Sequence, residues 1–406
     1  MALELLLLTY SYVEYLDGDP NLSAEERQRR DRRIPRLSVQ KYAFSPFKYL
    51  FGSGVDQSLL DCCGVDHKAS RELLGLFEPC FNLYTVDRVT GKIRMRKLSK
   101  GGKPLGRNKD IDAIGCLGLV LVWYRTRGSC ARSLVLGFGL TPTQLYKWLK
   151  SSRRCLLYVL QHHPAAKITL PSRAGLQSFV DAIYGQQPLL GPVWAVVDGL
   201  KLYLGQSSSG PIQNQYYNGW QHGTFINSVS LPTPDGGIRC AVTNCPGAWH
   251  DSPIANYGIY QEILAVYKEY GVKAVVDSAF KDKSGSNPVI KSSAKDPGDP
   301  DSCRVGRAAT WVRQFAGHGV RMTQGQSPRV GDKLRLDNHD DFEERRVVLN
   351  LMVLLYNPQT GKVGINMILD NYMSKTKGSK SYKPPYTYTS GGILTPINEN
   401  ANDLFG

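Results

Sequence analysis

Residues 193–198 read Val-Trp-Ala-Val-Val-Asp, and residues 273–277 read Lys-Ala-Val-Val-Asp. Each is a short apolar run, rich in β-branched residues, that stops at an acid: Asp198 in one and Asp277 in the other. Runs this short are better suited to strands buried on both faces than to helices. An acid after a buried strand often does no more than begin a turn. Two such acids ending adjacent strands would project side by side from one sheet edge, where carboxylates can hold one or two divalent ions. Phosphodiester chemistry calls for that arrangement, because the ions activate the attacking oxygen and neutralise charge on the leaving one.

Outward from these runs the texture is mixed. Thr224 to Leu231 alternates as a strand, Pro234-Asp235-Gly236-Gly237 reads as a hairpin turn, and Ile238 to Val242 returns as a third strand. Ser252-Pro253 opens a helical pattern that runs to Tyr267, before the second acid-ended run. Residues 281–302 read as loop. Helices are expected from Arg304 to Gln324 and from Asp341 to Tyr356, the latter with Val347, Val348, Leu351, Leu354 and Leu355 as its apolar stripe. Strands, a helix and a further strand make this an α/β domain, a mixed sheet flanked by helices, over 190–372.

Upstream, 111–185 reads as helical. Leu134-Val135-Leu136 is followed by Gly137-Phe138-Gly139, and then Thr141 is a good N-cap with Pro142 at the tolerated first position. A short helix, a glycine turn and a capped second helix form a helix-turn-helix-like pattern, with Lys147, Lys150, Arg153 and Arg154 along the second helix as candidate DNA contacts. Short helical hairpins also occur in proteins that never meet DNA. Residues 1–110 form a basic N-terminal region expected to be partly flexible. Glu25 to Arg36 holds six arginines and reads either as a nuclear localisation signal or as a solvated helix face. Lys92 to Lys109 holds eight basic residues and no acid, with Lys92, Arg94, Arg96 and Lys97 as its first phosphate-contact candidates. Residues 373–406 read as an extended or disordered tail.

The charge is unevenly spread. Of the 50 Lys and Arg and 35 Asp and Glu, residues 1–190 hold 28 and 16, a net +12; residues 191–406 hold 22 and 19, a net +3. A basic front end is suited to a polyanion, although surplus Lys and Arg can also serve solubility alone. The nine cysteines include no CxxC pair, so neither a zinc finger nor a disulfide scaffold is expected, and reduced thiols are. Leu5 to Leu8 is too short for a secretory core. Ile114 to Tyr124 is about half of the roughly 20 residues a membrane span needs, so no membrane partner is expected.

Taken together, VVDGLKLYL, QYYNGWQHGTFINSV, PDGGI, NCPGAWHDSPI and VVDSAF, in this order, resemble the catalytic domain of PIF/Harbinger-type transposases. That family belongs to the DDE endonuclease superfamily, whose fold is RNase H-like. The resemblance implies a divalent-metal-dependent DNA endonuclease and strand-transfer enzyme, with Asp198 and Asp277 as catalytic and metal-binding residues. It also implies Mg²⁺ or Mn²⁺ as cofactor, double-stranded transposon-end DNA as substrate, a Myb-like DNA-binding partner protein, a homo-oligomer and a nuclear location. The family's third acid is a glutamate in a segment matched here by Arg313-Gln314-Phe315-Ala316-Gly317-His318-Gly319, and Gly317 stands at its place. Glu344 is the substitute expected from its position; pairing with Arg345 or Arg346 is its structural alternative. His250 and Asp251 form the family's His-Asp pair, where a turn or N-cap role suits Asp251 better than metal binding. Gly317 also motivates a second reading, a domesticated transposase that binds DNA without cutting it.

Overall fold

The protein is described from a computed structural model covering residues 40–86, 93–100, 109–128, 130–162, 166, 168–280, 288–292, 299–336, 339–363, 368, 386–388 and 394–396. The arginine-rich stretch 25–36, Lys92 and most of the tail lie outside the described residues. Among the described residues the first helices are α1 (Pro46–Gly52), α2 (Asp56–Cys63) and α3 (His67–Leu83), followed by strands β1 (Tyr84–Val86) and β2 (Ile93–Met95). Helices α4 (Ala113–Arg125), α5 (Ala131–Phe138), α6 (Pro142–Gln161) and α7 (Arg173–Gln186) follow. Next come β3 (Val193–Val196), β4 (Asp198–Tyr203), α8 (Gly210–Tyr216), β5 (Tyr217–Asn218), β6 (Gly223–Pro232) and β7 (Ile238–Pro246). The chain continues through α9 (Asp251–Ala255), α10 (Ile259–Tyr270), β8 (Lys273–Val276), β9 (Val289–Lys291), α11 (Pro300–Gln326) and α12 (His339–Val363). In the tail, β10 (Tyr386–Tyr388) pairs antiparallel with β11 (Leu394–Pro396).

The chain is mixed α/β and divides into two compact units that do not follow consecutive sequence. One comprises Met1–Lys167, Leu202–Phe225 and Met322–Ile365; the other comprises Ile168–Lys201, Ile226–Arg321 and Asn366–Gly406. The first unit is helical at its centre. Helix α4 is apolar on all sides and buried, with α2, α3, α5 and α6 packed around it. Asp112 caps it by accepting from the Gly115 N–H at 2.8 Å. Helices α5 and α6 meet at Gly139, whose φ of +61° and close approach to the Gln40 carbonyl exclude a side chain. Helix α12 lies along α6 and buries Val347, Val348, Leu351, Leu354 and Leu355, the stripe expected from the sequence.

The second unit holds the parallel sheet. Strands β3, β8 and β9 are parallel, in the order β3-β8-β9. Strand β6 pairs with β4 and, antiparallel, with β7. Only Val197 separates β3 from β4, yet they serve two separate sheets, β3-β8-β9 and one in which β6 pairs with β4, β5 and β7. Helices α7 and α10 cover these strands. Leu176, Phe179 and Val180 of α7 and Ile259, Ile263 and Val266 of α10 form one buried cluster with Trp194, Ala195, Val229, Leu231, Ala274 and Val276. The sequence left one of these elements unread, β9 inside the expected 281–302 loop. Among the described residues no helix is long and apolar enough to cross a membrane.

Candidate active site

The parallel register of β3 and β8 pairs Ala195 with Ala274 and Val196 with Val275. Two residues further along each strand stand Asp198 and Asp277. Because side chains alternate with a period of two, both acids fall on the same face as the Val196–Val275 pair. The ladder continues that far: the Val197 N–H donates to the Val275 carbonyl at 2.9 Å. The strand-ending acids are therefore neighbours.

A third group stands between them. Arg313 of α11 places Nη1 3.1 Å from Asp277 Oδ1 and Nη2 3.7 Å from Asp198 Oδ1. The same Nη1 donates to Ser292 Oγ at 3.2 Å. Ser292 is itself held, its N–H donating to the Val276 carbonyl at 3.0 Å and its carbonyl accepting from Thr310 Oγ1 at 2.8 Å. Strand β8, the end of β9 and helix α11 thus jointly fix the guanidinium. The side chains of Asp198 and Arg313 keep 23% and 24% of their exposure, against 39% for Asp277, so Asp277 is the more open of the two acids.

Asp251 completes the neighbourhood of Asp198. It is the first residue of α9; the N-cap position is held by His250, whose side chain makes no capping hydrogen bond. Its Oδ1 accepts from Asn227 Nδ2 at 2.7 Å, and the same amide nitrogen donates to the Trp249 carbonyl at 3.0 Å. Burial, the largest influence, pushes the Asp198 carboxyl above its ordinary value of 3.8, and the charges of Asp251 and Asp277 push the same way. Arg313 and the Gly199 N–H oppose that rise without cancelling it.

For a divalent ion, the donor set fits in part. Asp198 and Asp277 are hard oxygen donors, and magnesium is commonly held by one or two carboxylates with water completing its shell. The guanidinium between them shows that the pair accepts a cation. Among the described residues, however, no group of three or more His, Cys, Asp or Glu is arranged to hold a metal. Gly317 lies one helical turn beyond Arg313 on α11, and nothing comes within 4 Å of where its Cβ would be. A Cβ there would meet no obstruction; glycine supplies no side-chain ligand.

Glu344, the substitute expected from sequence, is ion-paired within its own unit. On α12, in the helical unit, it pairs with Arg154 at 2.5 Å, Arg153 at 3.0 Å and Lys150 at 3.4 Å, all from α6. Burial pushes its carboxyl up, but the Arg154 hydrogen bond and the charges of Arg153, Arg154 and Lys150 outweigh burial, and it ends below the ordinary 4.5. Its partners are not the neighbouring Arg345 or Arg346. Arg346 pairs with Glu343 at 2.7 Å, and Arg345 donates to the Tyr216 hydroxyl at 3.3 Å.

The same cluster engages two of the expected DNA contacts. Arg153 and Arg154 retain 12% and 10% of their side-chain exposure and are engaged by Glu344, so they hold helices together rather than facing outward. Lys147 and Lys150 remain exposed on α6. Arg94 and Lys97 are exposed beside β2, whereas Arg96 is half-buried and donates to the Asn82 carbonyl at 3.3 Å. Sequence reasoning missed Arg313 and Asn227 as site residues, although both lie inside the quoted motif segments. Their partners are distant in the chain, and no local pattern announces them.

Comparison with known proteins bears on the same region. No curated protein matches the chain. One solved structure, the Mos1 transposase paired-end complex with left transposon end, is 10% identical, covering 73% of this chain and 85% of that one. Its TM-score is 0.21, too loose a superposition to speak to the fold. Residues 197–326 match the family described as DDE superfamily endonuclease. That span includes Asp198, Asp251, Asp277, Arg313 and Gly317 and ends before Glu344. The stretch carrying the two acids is thus similar to the endonuclease domain of that superfamily.

Proposed function

We propose that this protein is a transposase-derived nuclease of the DDE type, acting on phosphodiester bonds of double-stranded DNA at transposon ends. The observation that carries the reading is the pairing of Asp198 with Asp277 at the ends of adjacent parallel strands, inside the span that matches the endonuclease family. The mixed strands β4-β6-β7 and β3-β8-β9 go with an RNase H-like domain, and the sequence motifs with the PIF/Harbinger kind. The α5–α6 pair, with Lys147 and Lys150 exposed, supports a helix-turn-helix role in DNA contact. Asp198 and Asp277 would hold Mg²⁺ or Mn²⁺, which when bound activates the attacking oxygen and offsets charge on the leaving one. A nuclear location, a Myb-like partner and a homo-oligomer go with this reading.

Supercoiled-plasmid nicking in Mg²⁺ or Mn²⁺ tests it. Wild type should convert plasmid to open circle, and Asp198→Ala should not. Equal nicking by both would count against the assignment.

Gly317 favours a second reading, a DNA-binding protein that has lost cutting. It predicts salt-sensitive DNA retention by wild type without nicking, and metal-dependent nicking by Gly317→Glu, whose Cβ would enter open space one turn from Arg313.

A further inference from the structure

The two acids already have a cation between them, one that belongs to the chain. Arg313 meets Asp277 at 3.1 Å and Asp198 at 3.7 Å, and Ser292, tied to both β8 and α11, holds the guanidinium there. A divalent ion gripped by the same two carboxylates would need the volume and the negative charge that the guanidinium now occupies. Two positive groups a few ångströms apart repel strongly where water is partly excluded.

We infer that Arg313 is a built-in competitor for the cation, so that the guanidinium-bridged pair and the metal-bound pair exclude each other, and Arg313 sets the metal affinity of the site. This rests on the proposed nuclease reading for the identity of the ion. Its logic needs only the two carboxylates and the arginine. The same residue has a second consequence. Once displaced, a guanidinium tethered on α11 beside the two acids would be placed to meet a phosphate oxygen, a partner for which its planar donor set is well matched.

The test is Mn²⁺ binding by the full chain without DNA, followed by calorimetry or by loss of the free-ion paramagnetic signal. Arg313→Gln keeps a hydrogen-bond donor for Ser292 and removes the charge; it should bind Mn²⁺ at least about tenfold more tightly than wild type, since a unit charge this close outweighs a tenfold difference even after screening. Adding Asp277→Asn to Arg313→Gln should abolish the gain. Ser292→Ala, which loosens the guanidinium without deleting it, should tighten binding by a smaller factor and serves if Arg313→Gln does not fold. Equal Mn²⁺ affinity in wild type, Arg313→Gln and Ser292→Ala would overturn the inference, as would a gain that survives Asp277→Asn. The two ideas fail separately. Asp198-dependent nicking with an unchanged Mn²⁺ affinity in Arg313→Gln removes only the competitor role. A tighter Mn²⁺ site in a chain that neither retains nor nicks DNA removes only the nuclease reading.

Discussion

Gly199 backs directly onto Asp251: a Cβ at position 199 would lie 2.5 Å from Asp251 Oδ2. The carboxylate cannot simply swing away, because its other oxygen is held by Asn227 at 2.7 Å. The absence of a side chain at the residue after Asp198 therefore lets a second acid sit against the first.

Gly199→Ala should destabilise the protein by about 1–3 kcal/mol, the usual range for forcing an extra methyl group into a packed site. In an Asp251→Ala background the same change should have little effect. Chemical denaturation of the four proteins of this double-mutant cycle measures the coupling. Additive effects would show that Asp251 does not constrain position 199.

Glu344 should matter for stability and not for cutting. Glu344→Ala leaves Arg153 and Arg154 largely buried without their partner, and breaking a buried ion pair from one side costs about 3–5 kcal/mol. The pH dependence follows from the lowered Glu344 carboxyl. Ionised Glu344 contributes stability that is fully present above its unfolded value near 4.5 and is lost as pH falls through its lower folded value. The melting-temperature gap between wild type and Glu344→Ala should therefore be constant near neutrality and narrow below about pH 4.5. A gap that widens on acidification would contradict the assigned pairing.

Thr141 and Gln144 form a reciprocal capping box at the start of α6: the Thr141 N–H donates to Gln144 Oε1 at 2.9 Å, and Thr141 Oγ1 accepts from the Gln144 N–H at 3.4 Å. Thr141→Ala should destabilise the helical unit by about 1 kcal/mol, and Thr141→Asp should restore most of it. Thermal unfolding followed by helical circular dichroism reads both.

Two helical glycines should respond oppositely to the same substitution. At Gly317 nothing lies within 4 Å of the added methyl, so Gly317→Ala should gain roughly 0.5–1 kcal/mol from helix propensity. At Gly118 of α4 the methyl would fall 1.9 Å from Phe47 Cζ, so Gly118→Ala should lose stability despite the same propensity gain. Denaturation midpoints of the two variants should move in opposite directions.

Much of the second unit was legible beforehand. The runs ending at Asp198 and Asp277, the hairpin between β6 and β7 and the long helix α11 follow from periodicity, β-branching and turn residues, which act within a few positions, as does α12 in the first unit. So did the Thr141 cap. The region 111–185 reads as helical and is so, but the partners of its charges were not legible: Arg153 and Arg154 look like an outward basic face until α12 brings Glu344 onto them, almost 200 residues later in the chain. Strand β9 was hidden in a segment whose Lys, Ser, Asp, Pro and Gly read as loop.

By itself, then, the sequence determined the strand–acid pattern, the family resemblance of its motifs and the glycine at 317, because each of these is written in residue type and spacing. Only the tertiary structure decided which charges meet. It gave Glu344 to the α6 arginines, set Arg313 between Asp198 and Asp277, and placed Asp251 against Gly199. The physical reason is that side-chain periodicity is a local property of the backbone. An ion pair depends instead on which distant segments the packing of apolar faces happens to bring within a few ångströms. The two acids could be found by reading along the chain; the arginine that stands between them could not.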